Sequence, residues 1–239
     1  MIEFLSRAEW INPQIDFLLF LQNLRVEHFE HLNKLFLSIT ILGEIWLPSL
    51  ICAIIYWCFN RKAGVYLFCA FGLNFLLINF FKLVACVYRP WILSERIEPV
   101  KEAIFHARNY SFPSGHSSTS SSVLGSCAYL LKKKKIFCIL LILLVLCVGF
   151  SRLYLGVHTP QDVIVGLLIG FSLVFISDRI LNWADKDKKR YIHVMMFIDV
   201  LALLALLYLY CFNVYPVDYI NGELLVDSKI QLHIGVCTY

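Results

Sequence analysis

Two histidines, a carboxylate and an arginine stand out in an otherwise apolar sequence because their types and spacing suit nucleophilic chemistry. Asp162 lies four residues after His158, and His116 and Arg152 lie upstream of both. A carboxylate at this spacing can accept a hydrogen bond from one ring nitrogen, which leaves the other nitrogen free to attack. The same residues also fit a helix-capping box that starts at Thr159, so a structural role for Asp162 is the alternative.

Positively charged residues and a helix start lie close to these groups in the sequence. Lys82 and Arg89 are seven residues apart, which is two helical turns, so we expect them on one helical face. The segment Pro113–His116 reads as a loop entering a helix, whose first N–H groups favour an anion. There Gly115 permits close approach of the backbone, and Ser114 adds a hydroxyl donor. The alternative for Lys82 and Arg89 alone is a pair of interfacial cations that snorkel. The alternative for Pro113–His116 alone is an ordinary helix start. Together the clusters predict an anion site, most simply one for phosphate.

The composition places these polar residues in a membrane protein. Of 239 residues, 59% are hydrophobic and 16% are charged, and the mean hydropathy is +0.72. Soluble domains are less apolar and more highly charged, so too little polar surface remains here for a water-soluble globule. The net charge is only +4, and we predict no nucleic-acid partner.

Six stretches are apolar enough and nearly long enough to cross a bilayer: residues 44–59, 63–84, 117–131, 136–150, 162–181 and 191–212. Lysine and arginine cluster at 61–62, 132–135 and 186–190, which the positive-inside rule assigns to the cytoplasmic face. The sequence therefore predicts an all-α polytopic membrane helix bundle of about six transmembrane helices. Its polar clusters, and hence its active site, are expected at the outer membrane face.

The chain is predicted to form a single membrane domain over residues 1–239. Residues 1–43 read as an interfacial segment because charges interrupt their apolar runs, and residues 44–212 form the six-helix core. Residues 213–239 read as an outer tail that contains the start of a truncated span. Gly166 and Gly170 form a GxxxG pattern, which we expect to pack helices within one subunit. Both a monomer and a homodimer remain open.

Three motifs in this order resemble the signature of the type 2 phosphatidic acid phosphatase (PAP2) superfamily, in particular its membrane branch of lipid phosphate phosphatases. They run from Lys82 to Pro90, from Pro113 to His116 and from Ser151 to Asp162. All fixed positions and internal spacings match. The matched region covers about a third of the chain, and the ordered triple is far more specific than any one motif.

The resemblance implies a phosphatase or pyrophosphatase that works through a phosphohistidine, with neither a metal nor a cofactor. In this reading His158 is the nucleophile, Asp162 orients it, and His116 is the general acid for the leaving oxygen. The residues implied to bind phosphate are Lys82, Arg89, Ser114, Gly115 and Arg152. A neutral nucleophile and a protonated acid together predict a bell-shaped pH profile.

The expected partner is a membrane lipid phosphate, because a substrate held in the bilayer by its tail reaches an interfacial site by lateral diffusion. Undecaprenyl pyrophosphate, phosphatidic acid and phosphatidylglycerophosphate all remain open as substrates. We expect a multi-pass protein of a bacterial cytoplasmic membrane with an outward-facing site. The alternatives are a lipid phosphotransferase on the same scaffold and, ranked below it, a non-enzymatic lipid or anion transporter.

Overall fold

A computed structural model describes residues 8–105, 107, 109–213, 215–216, 219–220 and 223–224. The α-helices of this part are α1 (Ala8–Leu24), α2 (Asn33–Thr40), α3 (Trp46–Ile54), α4 (Arg61–Ala85), α5 (Pro90–Leu93), α6 (Lys101–Phe105), α7 (Gly115–Leu130), α8 (Lys135–Tyr154), α9 (Pro160–Ala184) and α10 (Lys188–Cys211). Two π turns, Arg25–Phe29 and Ile55–Phe59, and two 3₁₀ turns, Glu30–Leu32 and Ile41–Gly43, adjoin α1, α2 and α3.

The predicted all-α class is confirmed for the helical bundle. Among the described residues the exceptions are two short strands, β1 (Tyr219–Ile220) and β2 (Glu223–Leu224), which pair antiparallel. They fall in the stretch predicted to be an outer tail. The predicted start of a truncated span at its end lies outside the described residues.

Helix α7 is the centre of the bundle and packs against α4, α8 and α9. Most of its residues are buried, including a run of serines. Three of these serines donate a hydrogen bond to the carbonyl three residues earlier: Ser120 (3.0 Å), Ser121 (3.1 Å) and Ser122 (3.0 Å). Because these hydroxyls are satisfied within their own helix, the small side chains allow neighbouring helices to approach closely.

Glycines on α9 provide the closest of these approaches. A Cβ atom added at Gly166 would lie 2.6 Å from the carbonyl oxygen of Ser114. One added at Gly170 would overlap the Ser121 side chain and the Ser118 carbonyl oxygen. The GxxxG pattern therefore packs α9 against α7 within one chain, as predicted from the sequence.

Replacing Gly170 with alanine is expected to destabilise the fold by about 1–3 kcal/mol, because the backbone of α7 must shift to admit the methyl group. The measurement is the thermal unfolding midpoint of the purified protein in detergent. Gly72→Ala is the matched control, since an added Cβ atom there meets nothing within 4 Å. Equal midpoints for the two variants would show that the α7–α9 contact is not tight.

Four helices of the described chain are long and apolar enough to cross a membrane: Arg61–Leu93, Lys135–Tyr154, Pro160–Ala184 and Lys189–Cys211. A fifth arises if Trp10–Gly43 and Trp46–Phe59, which are bent by 53°, count as one span. The predicted span at 117–131 does not meet this criterion because α7 has 16 residues and is rich in serine. The protein is thus a multi-pass membrane protein.

Candidate active site

Helix α4 ends at Ala85, before it reaches Arg89. Cys86 adopts a left-handed conformation (φ 47°), and its N–H bonds to the Lys82 carbonyl oxygen at the helix end. Arg89 is instead the N-cap residue of α5, with Pro90 in the first helical turn. The expectation that Lys82 and Arg89 share one helical face is therefore wrong. Both side chains nevertheless line one cavity, because the chain turns after α4.

Ser114 is the N-cap residue of α7 and is completely buried. Its hydroxyl accepts a hydrogen bond from the Ser117 N–H (3.4 Å) and lies 2.9 Å from the Ser117 hydroxyl. The Ser114 N–H donates to the carbonyl oxygen of Asp162 (2.9 Å), which ties the start of α7 to the start of α9. In the described structure, then, this hydroxyl serves a helix cap.

His158 lies in the turn between α8 and α9 and is 1% exposed. Its Nδ1 is 3.3 Å from the Oδ2 of Asp162. The same oxygen accepts the N–H of Thr159 (2.8 Å), and the capping box indicated by the sequence is complete. Asp162 therefore caps α9 and contacts the histidine at once, so the two interpretations of its spacing are compatible.

Ser111 is a member of this cluster that the sequence analysis did not identify. It is fully buried, and its hydroxyl donates to Asp162 Oδ2 (2.5 Å) and lies 3.4 Å from His158 Nδ1. Its N–H donates to the Val87 carbonyl oxygen (2.7 Å), which holds the residue beside the end of α4. A single loop serine carries no distinguishing pattern, so only the folded structure connects it to Asp162.

Arg89 occupies the other side of the imidazole. Its Nη1 is 2.8 Å from His158 Nε2 and donates to the Val157 carbonyl oxygen (2.9 Å), while Nε donates to the Asn109 carbonyl oxygen (2.7 Å). A neutral ring with its proton on Nδ1 satisfies both neighbours, since Asp162 then accepts and Nε2 accepts from Arg89. In this tautomer the unprotonated nitrogen is Nε2, whose lone pair faces Arg89.

Burial lowers the pKa of His158 well below its usual value of 6.5, and the nearby positive charge of Arg89 lowers it further. Both effects disfavour the imidazolium form. The surroundings of His158 therefore favour the neutral imidazole.

Two further cations are buried at the site. Lys82 donates from Nζ to the Tyr110 carbonyl oxygen (2.6 Å). Arg152, which is 1% exposed, donates from Nη1 to Thr40 Oγ1 (2.7 Å). Its Nε and Nη2 have no hydrogen-bond partner among the described residues. Buried donors without partners are costly, so this guanidinium is suited to an anionic ligand.

A cavity of about 570 Å³ collects most of these groups. Five of the eight residues predicted for the site line it: Lys82, Arg89, Gly115, His116 and His158. The other three are buried and are not part of its lining: Ser114, Arg152 and Asp162. Gly115 leaves room beside Lys82, because a Cβ atom added there would lie 3.9 Å from Lys82 Cε.

The segment before α3 also lines this cavity, which the sequence did not predict. A Cβ atom added at Gly43 would lie 2.6 Å from the His116 carbonyl oxygen, so the two backbones are in close contact. Glu44 and Trp46 follow, and the indole N–H of Trp46 donates to Glu44 Oε2 (2.9 Å). No group of three or more metal-ligating side chains occurs in the part of the chain that the structure describes.

The structure is that of a multi-pass helical bundle that buries a histidine together with Lys82, Arg89 and Arg152. The family model described as PAP2 superfamily matches residues 63–186, and the chain belongs to this superfamily. It is a phosphatase of the PAP2 type, as the resemblance of its motifs predicts.

Named relatives and one solved structure support this assignment. The chain is 34% identical over 157 residues to phosphatidylglycerophosphatase B of Bacillus subtilis, covering 61% of this chain and 73% of the relative. It is 32% identical over 151 residues to undecaprenyl-diphosphatase of Sulfolobus acidocaldarius, covering 62% and 70%. The crystal structure of a transmembrane PAP2-type phosphatidylglycerolphosphate phosphatase from Bacillus subtilis aligns with a TM-score of 0.62 at 25% identity. That alignment covers 77% of this chain and 90% of the other.

Proposed function

We propose that this protein hydrolyses a lipid or polyprenyl phosphate or pyrophosphate through a phosphohistidine intermediate, without a metal ion, on the outer face of a bacterial membrane. The observation that carries the proposal is the geometry of His158. Its Nδ1 lies 3.3 Å from Asp162 Oδ2, its Nε2 lies 2.8 Å from Arg89 Nη1, and the residue lines the cavity. The names of the relatives support this substrate class.

In the first step Nε2 of His158 attacks phosphorus while the bond from phosphorus to the leaving oxygen breaks. Asp162 holds the Nδ1 proton and stabilises the positive charge that develops on the ring. His116, which lines the same cavity, gives its proton to the leaving oxygen. In the second step the resulting neutral His116 takes a proton from water, whose oxygen displaces His158 from phosphorus and releases phosphate.

The three cations stabilise the transition state. Phosphoryl transfer spreads negative charge over the three equatorial oxygens, so positioning and electrostatics supply most of the catalysis. Arg152 does not line the cavity, but its charge is near enough to act on His158, and two of its buried donors have no partner among the described residues. Lys82 and Arg89 are held by backbone carbonyls and are positively charged neighbours of the same site.

The ends of the helices that meet at the site support the outer-face location. The site lies where α4 ends, α7 begins, α8 ends and α9 begins. At the opposite end, Lys62 forms an ion pair with Asp185 (3.3 Å), and the basic connections lie there. Since basic connections are typically cytoplasmic, this arrangement supports a site that faces outward. Six crossings result when α7 and residues 46–59 are added to the four long apolar helices.

The contacts of residues 8–43 support their placement as an interfacial segment of the single domain. Gln14, Arg25 and Thr40 are spread along this segment, yet each bonds at the same end of the bundle. Their partners are the Gln161 N–H (3.0 Å), the Tyr154 carbonyl oxygen (3.1 Å) and Arg152 Nη1 (2.7 Å). A helix that crossed the bilayer would instead contact residues at both ends.

The test of this function is phosphate release by the purified protein in detergent with EDTA present. Undecaprenyl pyrophosphate, phosphatidic acid and phosphatidylglycerophosphate are assayed side by side, with no acceptor alcohol added. Release from at least one lipid supports a hydrolase. If the lipid loses its phosphate only when an acceptor alcohol is present, and that phosphate is recovered on the alcohol, the transferase alternative replaces the proposal. If EDTA removes activity, a metal-dependent mechanism replaces it.

The pH dependence of kcat/KM is expected to be bell-shaped, with its acidic limb below pH 6.5. The pKa of His158 is lowered from that value, so the neutral nucleophile is lost only as the pH falls through the lowered pKa. The alkaline limb reports the loss of the proton that His116 must donate. The profile is measured with correction for ionisation of the substrate phosphate. A monotonic rise in activity with pH would contradict the acid and base roles.

A further inference from the structure

The cavity continues along α4 beyond the cationic site. Asn74, Ile78 and Lys82 recur every four residues on one face of α4, and all three line the cavity. Asn74 therefore lies about 12 Å along the helix from Lys82, towards the middle of the bundle. Thr119 on α7 is the residue opposite it. Thr119 lies one helical turn after Gly115 and His116, but the chemistry of phosphoryl transfer does not require a polar pair at this position.

The side chain of Asn74 has unused hydrogen-bonding capacity. It is 1% exposed, and its Nδ2 lies 3.2 Å from Thr119 Oγ1. Its Oδ1 has no partner among the described residues. Turning the amide over would exchange the two atoms, so in either orientation one polar atom is left unpaired. A buried amide in this state is costly unless a ligand or water completes it.

The surroundings of Asn74 are apolar where they face the cavity. Phe75 and Ile78 line the same wall. Asn79 also lines it, but its amide donates to the Phe75 carbonyl oxygen of its own helix (2.9 Å). Asn74 and Thr119 are thus polar side chains beside an apolar part of the cavity wall. This arrangement suits a ligand that is mostly hydrocarbon but carries oxygen atoms beyond its phosphate.

We propose that Asn74 and Thr119 form a subsite for the ester-bearing glycerol backbone of a glycerophospholipid phosphate whose terminal phosphate lies at His158. This inference rests on the proposed function and specifies its substrate class. A phosphatidyl substrate has ester oxygens between phosphate and hydrocarbon, and these only accept hydrogen bonds. The Asn74 amide therefore binds them in its turned orientation, in which Oδ1 accepts from the Thr119 hydroxyl and Nδ2 donates to the ester. A polyprenyl pyrophosphate has hydrocarbon directly after its phosphates, so it leaves the amide unsatisfied. The subsite therefore favours the glycerophospholipid.

The experiment compares kcat/KM for phosphatidylglycerophosphate and for undecaprenyl pyrophosphate in mixed micelles. The variants are Asn74→Leu, Asn74→Ser and Thr119→Val. In Asn74→Leu we expect the ratio of the two values to fall on the order of 10-fold, through a higher KM for the glycerophospholipid. Thr119→Val keeps the side-chain shape, and we expect it to lower the ratio less than Asn74→Leu does. For Asn74→Ser we expect a ratio between those of Asn74→Leu and the parent protein.

Ser126→Ala is the matched control on α7, since Ser126 is buried but does not line the cavity; its ratio should equal that of the parent protein. An unchanged ratio in the Asn74 and Thr119 variants, or an equal loss for both substrates, overturns the inference and leaves the pair a purely structural role. If Asn74→Leu does not fold, the other two variants decide the question. The His158→Ala variant is assayed in parallel to keep the two proposals separate. Phosphate release that persists in this variant refutes the phosphohistidine mechanism, whatever the ratio of kcat/KM for the two substrates.

Discussion

Replacing His158 with alanine is expected to reduce phosphate release on the order of 10⁴-fold or more, because in the proposed mechanism this side chain forms the covalent intermediate. The side chain is 1% exposed, so its loss leaves a cavity. That cavity would be bounded by Arg89, whose Nη1 now lies 2.8 Å from Nε2, and by Asp162. Water that fills it attacks phosphorus far less effectively than a positioned imidazole.

His193→Ala is the matched control for this prediction. His193 lies on α10 with an exposed side chain and does not line the cavity. Activity should be unchanged in this variant, and both variants should retain the thermal unfolding midpoint of the parent protein within a few degrees. A second readout is a phosphorylated protein trapped by rapid quenching. Trapping in the His158→Ala variant, or its retention of activity, would assign the nucleophile to another residue.

Local spacing explains why so much of this site could be predicted from the sequence. The four-residue interval from His158 to Asp162 and the capping box from Thr159 to Asp162 both belong to one helix start. The GxxxG pattern likewise depends on helical periodicity, and Gly166 and Gly170 indeed face α7. The first two pairs are neighbours at one helix start, and the two glycines share one helix face. These features can therefore be predicted without knowledge of the tertiary structure.

Other features of the site depend on contacts that no local pattern reports. The left-handed Cys86 ends α4 early, and such positions are usually occupied by glycine. Ser111 reaches Asp162 across a separation of 51 residues, and Thr40 reaches Arg152 across 112. Gly43 is in contact with His116 only because the segment before α3 packs on α7. These contacts join separate parts of the chain and follow from the fold alone.

The predicted span at 117–131 shows a limit of hydropathy as a guide to membrane-spanning helices. Hydropathy measures how well a helix dissolves in lipid, but α7 is surrounded mainly by other helices, and three of its serines bond their hydroxyls within the helix. A helix enclosed by protein can be short and polar without cost. The composition of α7 therefore reflects close packing around the start of the active site rather than contact with lipid.

Replacing Asp162 with asparagine is expected to lower kcat on the order of 10³- to 10⁴-fold while the fold is retained. Oδ2 of Asp162 accepts hydrogen bonds from the Ser111 hydroxyl (2.5 Å) and the Thr159 N–H (2.8 Å), and it lies 3.3 Å from His158 Nδ1. An amide can offer its oxygen to these donors, but it has no negative charge to stabilise the ring cation formed on attack. If its nitrogen faces Nδ1, the proton moves to Nε2 and the reactive lone pair is lost.

Ser111→Ala separates this electrostatic role from the positioning of the carboxylate. The variant removes one donor to Asp162 Oδ2 and leaves the charge, so we expect a loss on the order of 10-fold. Its acidic limb in kcat/KM should also move, because the carboxylate beside His158 is held less firmly. The measurement is the pH profile of both variants with thermal unfolding in parallel. If Asp162→Asn lost only as much activity as Ser111→Ala, the carboxylate would be acting as a helix cap, and stabilisation of the His158 cation would have to come from another group.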